Sequence, residues 1–248
     1  MLRSIWIWLA GAVAILFWIP LLGVIALFDP SQLRLRTGRW FRRLARVLAR
    51  IYGRPIRVSG AQNITPGQTY IIVSNHQSLA DIPVVSQLKI DAKWITKQEL
   101  FRIPGLGWML QMAKDIPVDR SDRRKAGHAL LMAARCLRQH CSVIFFPEGT
   151  RSPDGEVLPF IEGPFQLAIR EQIPILPLVV DGTRDVLPRS SWIFGHAPQI
   201  RLRVLEPVSV EGWQKHQSAL LRDEVRQRVV DALDQLRAKA NQPALHTV

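Results

Sequence analysis

The chain has 248 residues, 48% of them hydrophobic, enough for one compact domain with a sizeable core and an appendage. Its 33 Lys and Arg outnumber 20 Asp and Glu, and the net charge of +13 favours an anionic partner: nucleic acid, a phosphate-bearing substrate or an acidic membrane surface. Two cysteines, Cys136 and Cys141, exclude a disulfide framework and fit no zinc or redox spacing, so a reducing compartment is expected.

From Ile5 to Phe28 the run IWIWLAGAVAILFWIPLLGVIALF carries no charge. It is long enough for a transmembrane or deeply embedded helix. A signal peptide is the disfavoured alternative, because the apolar region is long for one and only Arg3 precedes it. Pro20 and Gly23 leave a re-entrant or monotopic hairpin open, and a buried core helix is the plain alternative. Trp6, Trp8, Trp18 and Trp40 fall in the first 40 residues, as interfacial anchoring favours. Between Asp29 and Arg57 there are nine arginines and one acid, with Trp40, Leu44, Val47, Leu48 and Ile51 at helical spacing. A basic amphipathic helix beside an apolar segment predicts a helix on an anionic leaflet, with nucleic-acid binding as the competing reading. The arginine excess after Phe28 puts the rest of the chain on the cytoplasmic side of the inner membrane.

Beyond Gly53, short apolar runs alternate with helical patterns. Strands are predicted at Ile56–Val58, Tyr70–Ser74, Lys93–Thr96, Val143–Phe146, Ile175–Val180 and Ile200–Leu205. Helices are predicted at Ile82–Leu88, Gln98–Met112 (broken near Pro104 to Gly107), Ser121–Gln139, Gly163–Glu171 and Gln214–Lys239. The alternation indicates an α/β fold, with a mainly parallel sheet flanked by helices, behind an N-terminal hydrophobic, membrane-associated helical segment. The expected division is 1–53 as anchoring segment, 54–240 as the α/β domain and 241–248 as a disordered tail.

Two polar clusters follow apolar strands directly: YIIVS leads into NHQSLAD, and VIFF leads into PEGTRS. In open α/β sheets, ligands bind beyond the carboxyl ends of strands. Ser78-x-x-Asp81 also matches a capping box, which would give Asp81 a local role only. Pro83 argues for a helix starting at Asp81 or Ile82 instead, which leaves His76 in the preceding loop where the carboxylate can reach back to it. An imidazole held in one tautomer by a carboxylate is a general base for a hydroxyl. No G-x-S-x-G elbow is present and neither cysteine sits in a nucleophile context, so the nucleophile belongs to the substrate and the reaction is transfer to an alcohol. Gly149, Thr150 and Arg151 offer backbone N–H groups and a guanidinium suited to a phosphate, against a simple turn as the alternative. Arg120, in IPVDRSDRR, reads equally as a second phosphate ligand or a solvated charge.

The blocks NHQSLAD, KQELFRIPGLG, IPVDR, FFPEGTRS and IPILPL, in that order from about Val73 to Leu178, resemble those of the 1-acyl-glycerol-3-phosphate acyltransferases. The resemblance implies that His76 is the general base and Asp81 its orienting partner. It makes Arg120 and Arg151 phosphate contacts, with Glu148, Gly149 and Thr150 shaping the acceptor pocket, Asn75 supporting His76, and Lys97 and Glu99 near an acyl-chain groove. Leu100, Pro104 and Gly107 are structural on this reading. It further implies no cofactor beyond acyl-CoA or acyl-carrier protein as co-substrate, no metal, a membrane lipid as acceptor and no nucleic-acid partner. One departure stands out: the family often has lysine after the phenylalanine of the next block, and here the run is Phe160-Ile161-Glu162-Gly163. Its loss widens the acceptors to differently charged lysolipids, glycerol-3-phosphate or lyso-aminolipids. A non-catalytic protein binding anionic lipid through the arginine-rich helix would explain residues 1–57 but not the polar blocks.

Overall fold

Continuous apolar runs become strands wherever helices cover both faces of the sheet, and the central strands here are buried along their whole length. The structure, a computed structural model, describes residues 1–119, 122–196 and 199–241. Its strands are β1 (Ile56–Ser59), β2 (Ile71–Ser74), β3 (Ala92–Lys97), β4 (Ile116–Val118), β5 (Ser142–Phe145), β6 (Ile175–Asp181) and β7 (Ile200–Val204). Its α-helices are α1 (Leu2–Leu27), α2 (Leu35–Ile51), α3 (Asp81–Val85), α4 (Leu106–Met112), α5 (Arg123–Arg138), α6 (Gly163–Glu171), α7 (Thr183–Val186) and α8 (Ser218–Asn241). The sheet order is β1-β7-β6-β2-β5-β3-β4, parallel throughout except for the antiparallel β6–β7 pair.

Alternate residues of each strand feed two cores. Ile71, Val73, Val143, Phe145 and Val179 pack with α5, α6 and α8, around Ala133, Leu167 and Val225. Tyr70, Ile72, Ile144, Leu176 and Leu178 face the other layer, with Val84 of α3 and Ile7 of α1. The expected strands are all present, and β4 is an addition: three residues at the sheet edge, with Pro117 in the middle. The expected helix at 98–112 is two pieces, a 3₁₀ turn Gln98–Arg102 and then α4. Gly107 is structural for a steric reason, since a Cβ there would meet the Phe101 carbonyl oxygen at 2.1 Å. The helix expected at 82–88 ends at Val85 and unwinds through turns to Leu88.

The apolar N-terminal run forms one continuous helix across Pro20, so the hairpin is not within it; the reversal comes after Leu27, between α1 and α2. Asp29, the one acid of the basic stretch, fixes that reversal by accepting the Thr37 N–H (2.7 Å), the Thr37 hydroxyl (2.8 Å) and the Ser31 N–H (3.1 Å). Part of the basic face of α2 turns inward, contrary to a helix lying wholly on a leaflet. Arg39 pairs with Asp91, Arg42 donates to the Ala92 carbonyl (2.8 Å) and Arg46 to the Ser86 carbonyl (2.9 Å). Arg36, Arg43 and Arg50 stay exposed. The expected tail Gln242–Val248 lies outside the described residues.

Candidate active site

Three neighbouring parallel strands, β6, β2 and β5, end on the same side of the sheet, so the loops after them converge. Asn75 follows β2 directly. Its amide donates to the Val180 carbonyl and accepts the Val180 N–H, each at 2.8 Å. Only 1% exposed, Asn75 locks the β2 exit to β6. Next to His76 in the chain, its amide is engaged with the backbone of β6.

His76 comes next, in the loop, and α3 begins at Asp81 as Pro83 requires. The His76 Nδ1 lies 2.7 Å from Asp81 Oδ2. The same oxygen accepts the N–H groups of Gln77 (2.7 Å) and Ser78 (2.9 Å). An oxygen already receiving two backbone donors is an acceptor, so His76 Nδ1 carries the proton and Nε2 keeps its lone pair. The capping reading is half right as well. Asp81 does accept the Ser78 N–H, but the Ser78 hydroxyl goes to the Leu187 carbonyl and takes the Ala80 N–H instead. Oδ1 of Asp81 accepts the Thr183 hydroxyl from the start of α7. Phe146 stacks flat on the imidazole, ring centroids 4.0 Å apart and planes 13° off parallel, which sets the plane of the ring. The His76 side chain is 12% exposed and that of Asp81 not at all.

The loop after β5 is tied to the histidine at two points. Glu148 Oε1 accepts the His76 N–H at 2.6 Å, and the Ser152 N–H donates to the His76 carbonyl at 2.8 Å. Glu148 Oε2 takes the Leu158 N–H at 3.0 Å. Each carboxylate oxygen thus accepts a backbone N–H, and Glu148 braces the histidine loop. Burial pushes the Glu148 carboxyl up to about 7, against those two backbone donors. Gly149 turns with φ of +73°, and no atom stands within 4 Å of where a Cβ would be; the conformation, not crowding, calls for glycine. Thr150 is exposed and Arg151 half-buried at the rim.

Lys97 ends β3, exposed and paired with Glu99 at 3.1 Å. Arg120 lies outside the described residues. Glu162, which stands where the family often has lysine, accepts the Ser218 hydroxyl and the Gln166 side-chain amide, so its charge is committed to the seam between α6 and α8. Both cysteines are buried, and burial pushes the Cys141 thiol up to about 12, far from a thiolate nucleophile. Sequence reasoning missed Thr183, Phe146, Arg189 and Arg226. Arg226 of α8 clamps the loop after Gly155 by donating to the Val157 and Leu158 carbonyls. For Thr183 a signal existed: Asp181-Gly182-Thr183 follows an apolar strand just as the two recognised clusters do.

A family model described as Acyltransferase matches residues 55–181. Among curated proteins, the chain is 35% identical over 181 residues to "1-acyl-sn-glycerol-3-phosphate acyltransferase alpha" of Mus musculus, which covers 71% of this chain and 62% of the relative. It is 32% identical over 179 residues to the chloroplastic 1-acyl-sn-glycerol-3-phosphate acyltransferase BAT2 of Brassica napus, covering 71% of this chain and 50% of the relative. The chain therefore spans about half to two thirds of the length of these relatives. Among solved structures, the 1-acyl-sn-glycerophosphate (LPA) acyltransferase PlsC of Thermotoga maritima superposes with a TM-score of 0.80 at 28% identity, covering 96% of this chain and 95% of the other.

Proposed function

The chain belongs to the acyltransferase family that contains the 1-acyl-sn-glycerol-3-phosphate acyltransferases, and on that premise we propose that it transfers a fatty acyl group from a thioester carrier, acyl-CoA or acyl-carrier protein, to the free hydroxyl of 1-acyl-glycerol-3-phosphate, giving phosphatidic acid. The observation that carries this reading is the His76 Nδ1 to Asp81 Oδ2 bond of 2.7 Å, on a carboxylate whose remaining positions are filled.

His76 Nε2 takes the proton of the acceptor hydroxyl as that oxygen attacks the thioester carbonyl. The tetrahedral intermediate collapses, the carbon–sulfur bond breaks, and the thiolate recovers the proton from the imidazolium. Asp81 keeps the ring in the tautomer that leaves Nε2 free and stabilises the imidazolium as it forms. Arg151, at the end of the next loop, meets the acceptor phosphate. With no lysine in the Phe160–Gly163 run, and Glu162 Oε1 bonded to Ser218 and Gln166, the positive charge for the acceptor phosphate falls to the arginines. We place the domain on the cytoplasmic face of the inner membrane, supported by the arginines of α2 and by the 26-residue apolar α1. A purely lipid-binding role would leave the buried histidine–carboxylate pair without a purpose.

The test is His76→Ala, assayed with labelled acyl donor and 1-acyl-glycerol-3-phosphate. Loss of a positioned general base costs on the order of 10²–10⁴-fold in rate. The variant should stay folded and membrane-bound with kcat reduced by that factor; turnover like the wild type would refute the assignment.

A further inference from the structure

Past β6 the chain runs through α7 into residues 187–194, a segment with no part in the proton transfer above. Arg189 lies in it, exposed, and its Nη1 donates to the Arg151 carbonyl at 2.8 Å. The two cationic side chains are near enough to disfavour each other: Arg151 is held below the usual guanidinium range by burial and then by Arg189. Among the described residues neither pairs with a carboxylate at ion-pair distance. Two like charges kept side by side are a cost that a bound anion removes.

Beside this pair, on the Arg189 side, is a cleft. Ser152, Arg184, Arg189, Ser190 and Ser191 line about 390 Å³. Ser152 is the residue whose N–H holds the His76 backbone carbonyl, so the cleft borders the loop that carries the histidine. In the acid beside it, Asp154, carboxylate Oδ1 accepts the Ser152 hydroxyl and the Glu156 N–H, and the backbone carbonyl accepts from Arg184. On the far side, Trp192 and Ile193 stand 75% and 51% exposed. Trp192 packs on Trp8 of α1, ring centroids 5.3 Å apart, and its carbonyl takes the Trp8 indole N–H at 2.8 Å. The segment that lines the cleft thus runs straight on into a contact with the apolar helix α1, where the charged end of a lipid would meet its chain.

We infer that Arg189 joins Arg151 in clamping the phosphomonoester of the acceptor lipid, and that Arg189 selects phosphate-bearing acceptors over uncharged ones. The donor also carries phosphate, but Trp192 and Ile193, next along the chain from the cleft, are exposed and Trp192 packs on α1, and on that ground the cleft is given to the acceptor. The inference rests on the acyl-transfer reading, so binding is measured apart from turnover. Arg189→Ala, at an exposed position, should leave Tm unchanged. It should weaken binding of 1-acyl-glycerol-3-phosphate in detergent micelles, and raise its KM, by about tenfold or more, the scale of one lost charge-assisted bond. KM for the acyl donor and for 1-acyl-glycerol, which has no phosphate, should not move. Arg189→Lys should recover part of the loss. Unchanged binding of the phosphate lipid in Arg189→Ala overturns the clamp. So does a rise confined to the donor KM, or an equal loss with the phosphate-free acceptor. A wild-type protein that binds this lipid through Arg189 but transfers nothing would sink the acyl-transfer reading and leave the clamp standing.

Discussion

Asp81 receives four donors on two oxygens: the His76 ring, two backbone N–H groups and the Thr183 hydroxyl. Three of them come from within five residues of it, which is why the pair could be read from NHQSLAD. Thr183 is about a hundred residues away in the chain and arrives only because β6 lies beside β2. Glu148 makes the opposite point. The family blocks put it in the acceptor pocket, but they carry no information on where its oxygens point, and both go to backbone N–H groups. Its carboxyl, raised from 4.5 to about 7 chiefly by burial, has a consequence for stability. The folded state holds the proton more tightly than the unfolded one, so the contribution is fully present below about pH 4.5 and is lost as pH rises through about 7. Thermal unfolding of the wild type and Glu148→Gln across that range should show the wild type losing stability relative to the variant up to about pH 7, and a constant difference above it. A constant difference throughout would mean that Glu148 is already ionised well below neutrality.

At the level of elements, the buried strands were legible because they are apolar without a break, and α6 because Gly163-Pro164 marks its start. The antiparallel β6–β7 pair was not, since pairing direction leaves no local trace, and neither was β4, three residues long with a proline at its centre. The basic stretch was read as one thing and is two. On α2, Arg36, Arg43 and Arg50 are exposed, while Arg42 is buried, 3.7 Å from Asp91 and bonded to the Ala92 carbonyl. Amphipathic periodicity locates the helix; it does not distinguish arginines that meet a membrane from one that meets acids on the neighbouring domain. Asp91 keeps Arg39 when Arg42 is removed, so Arg42→Ala costs the buried guanidinium's packing and the Ala92 carbonyl its donor, about 1–3 kcal/mol, and should lower Tm in detergent. Arg50→Ala should leave Tm unchanged and only weaken binding to anionic vesicles, by about 1 kcal/mol at low salt. Equal melting of the two variants would show that α2 is not docked through Arg42.

Across the whole molecule the question is how α1 meets the bilayer. At 1.5 Å per residue the helix is about 39 Å long, enough to cross. Yet it is held to the domain along that length. Arg3 donates to the Tyr52 and Gly195 carbonyls, Ile7 is in the core, the Trp18 indole N–H donates to the Trp40 carbonyl at 2.9 Å, and Leu22 packs in one cluster with Leu44 of α2 and Met109 of α4. Its other face, with Leu2, Ile5, Leu9, Val13, Leu16 and Leu27 all more than half exposed, is a continuous apolar stripe that water would not tolerate. A helix packed on a domain over its full length cannot cross the membrane unless the domain goes with it, and the β1-to-α8 body carries exposed charge such as Arg203, Arg228 and Glu224. The arrangement consistent with this packing is α1 lying in one leaflet, outward stripe in lipid, with the Trp8–Trp192 contact near the interface. This predicts that single cysteines at Leu2 and at Phe28 react with a membrane-impermeant thiol reagent from the same side of sealed vesicles. Labelling of the two ends from opposite sides would show that α1 leaves the domain and spans the bilayer, and its contacts with Tyr52 and Gly195 would then have to break.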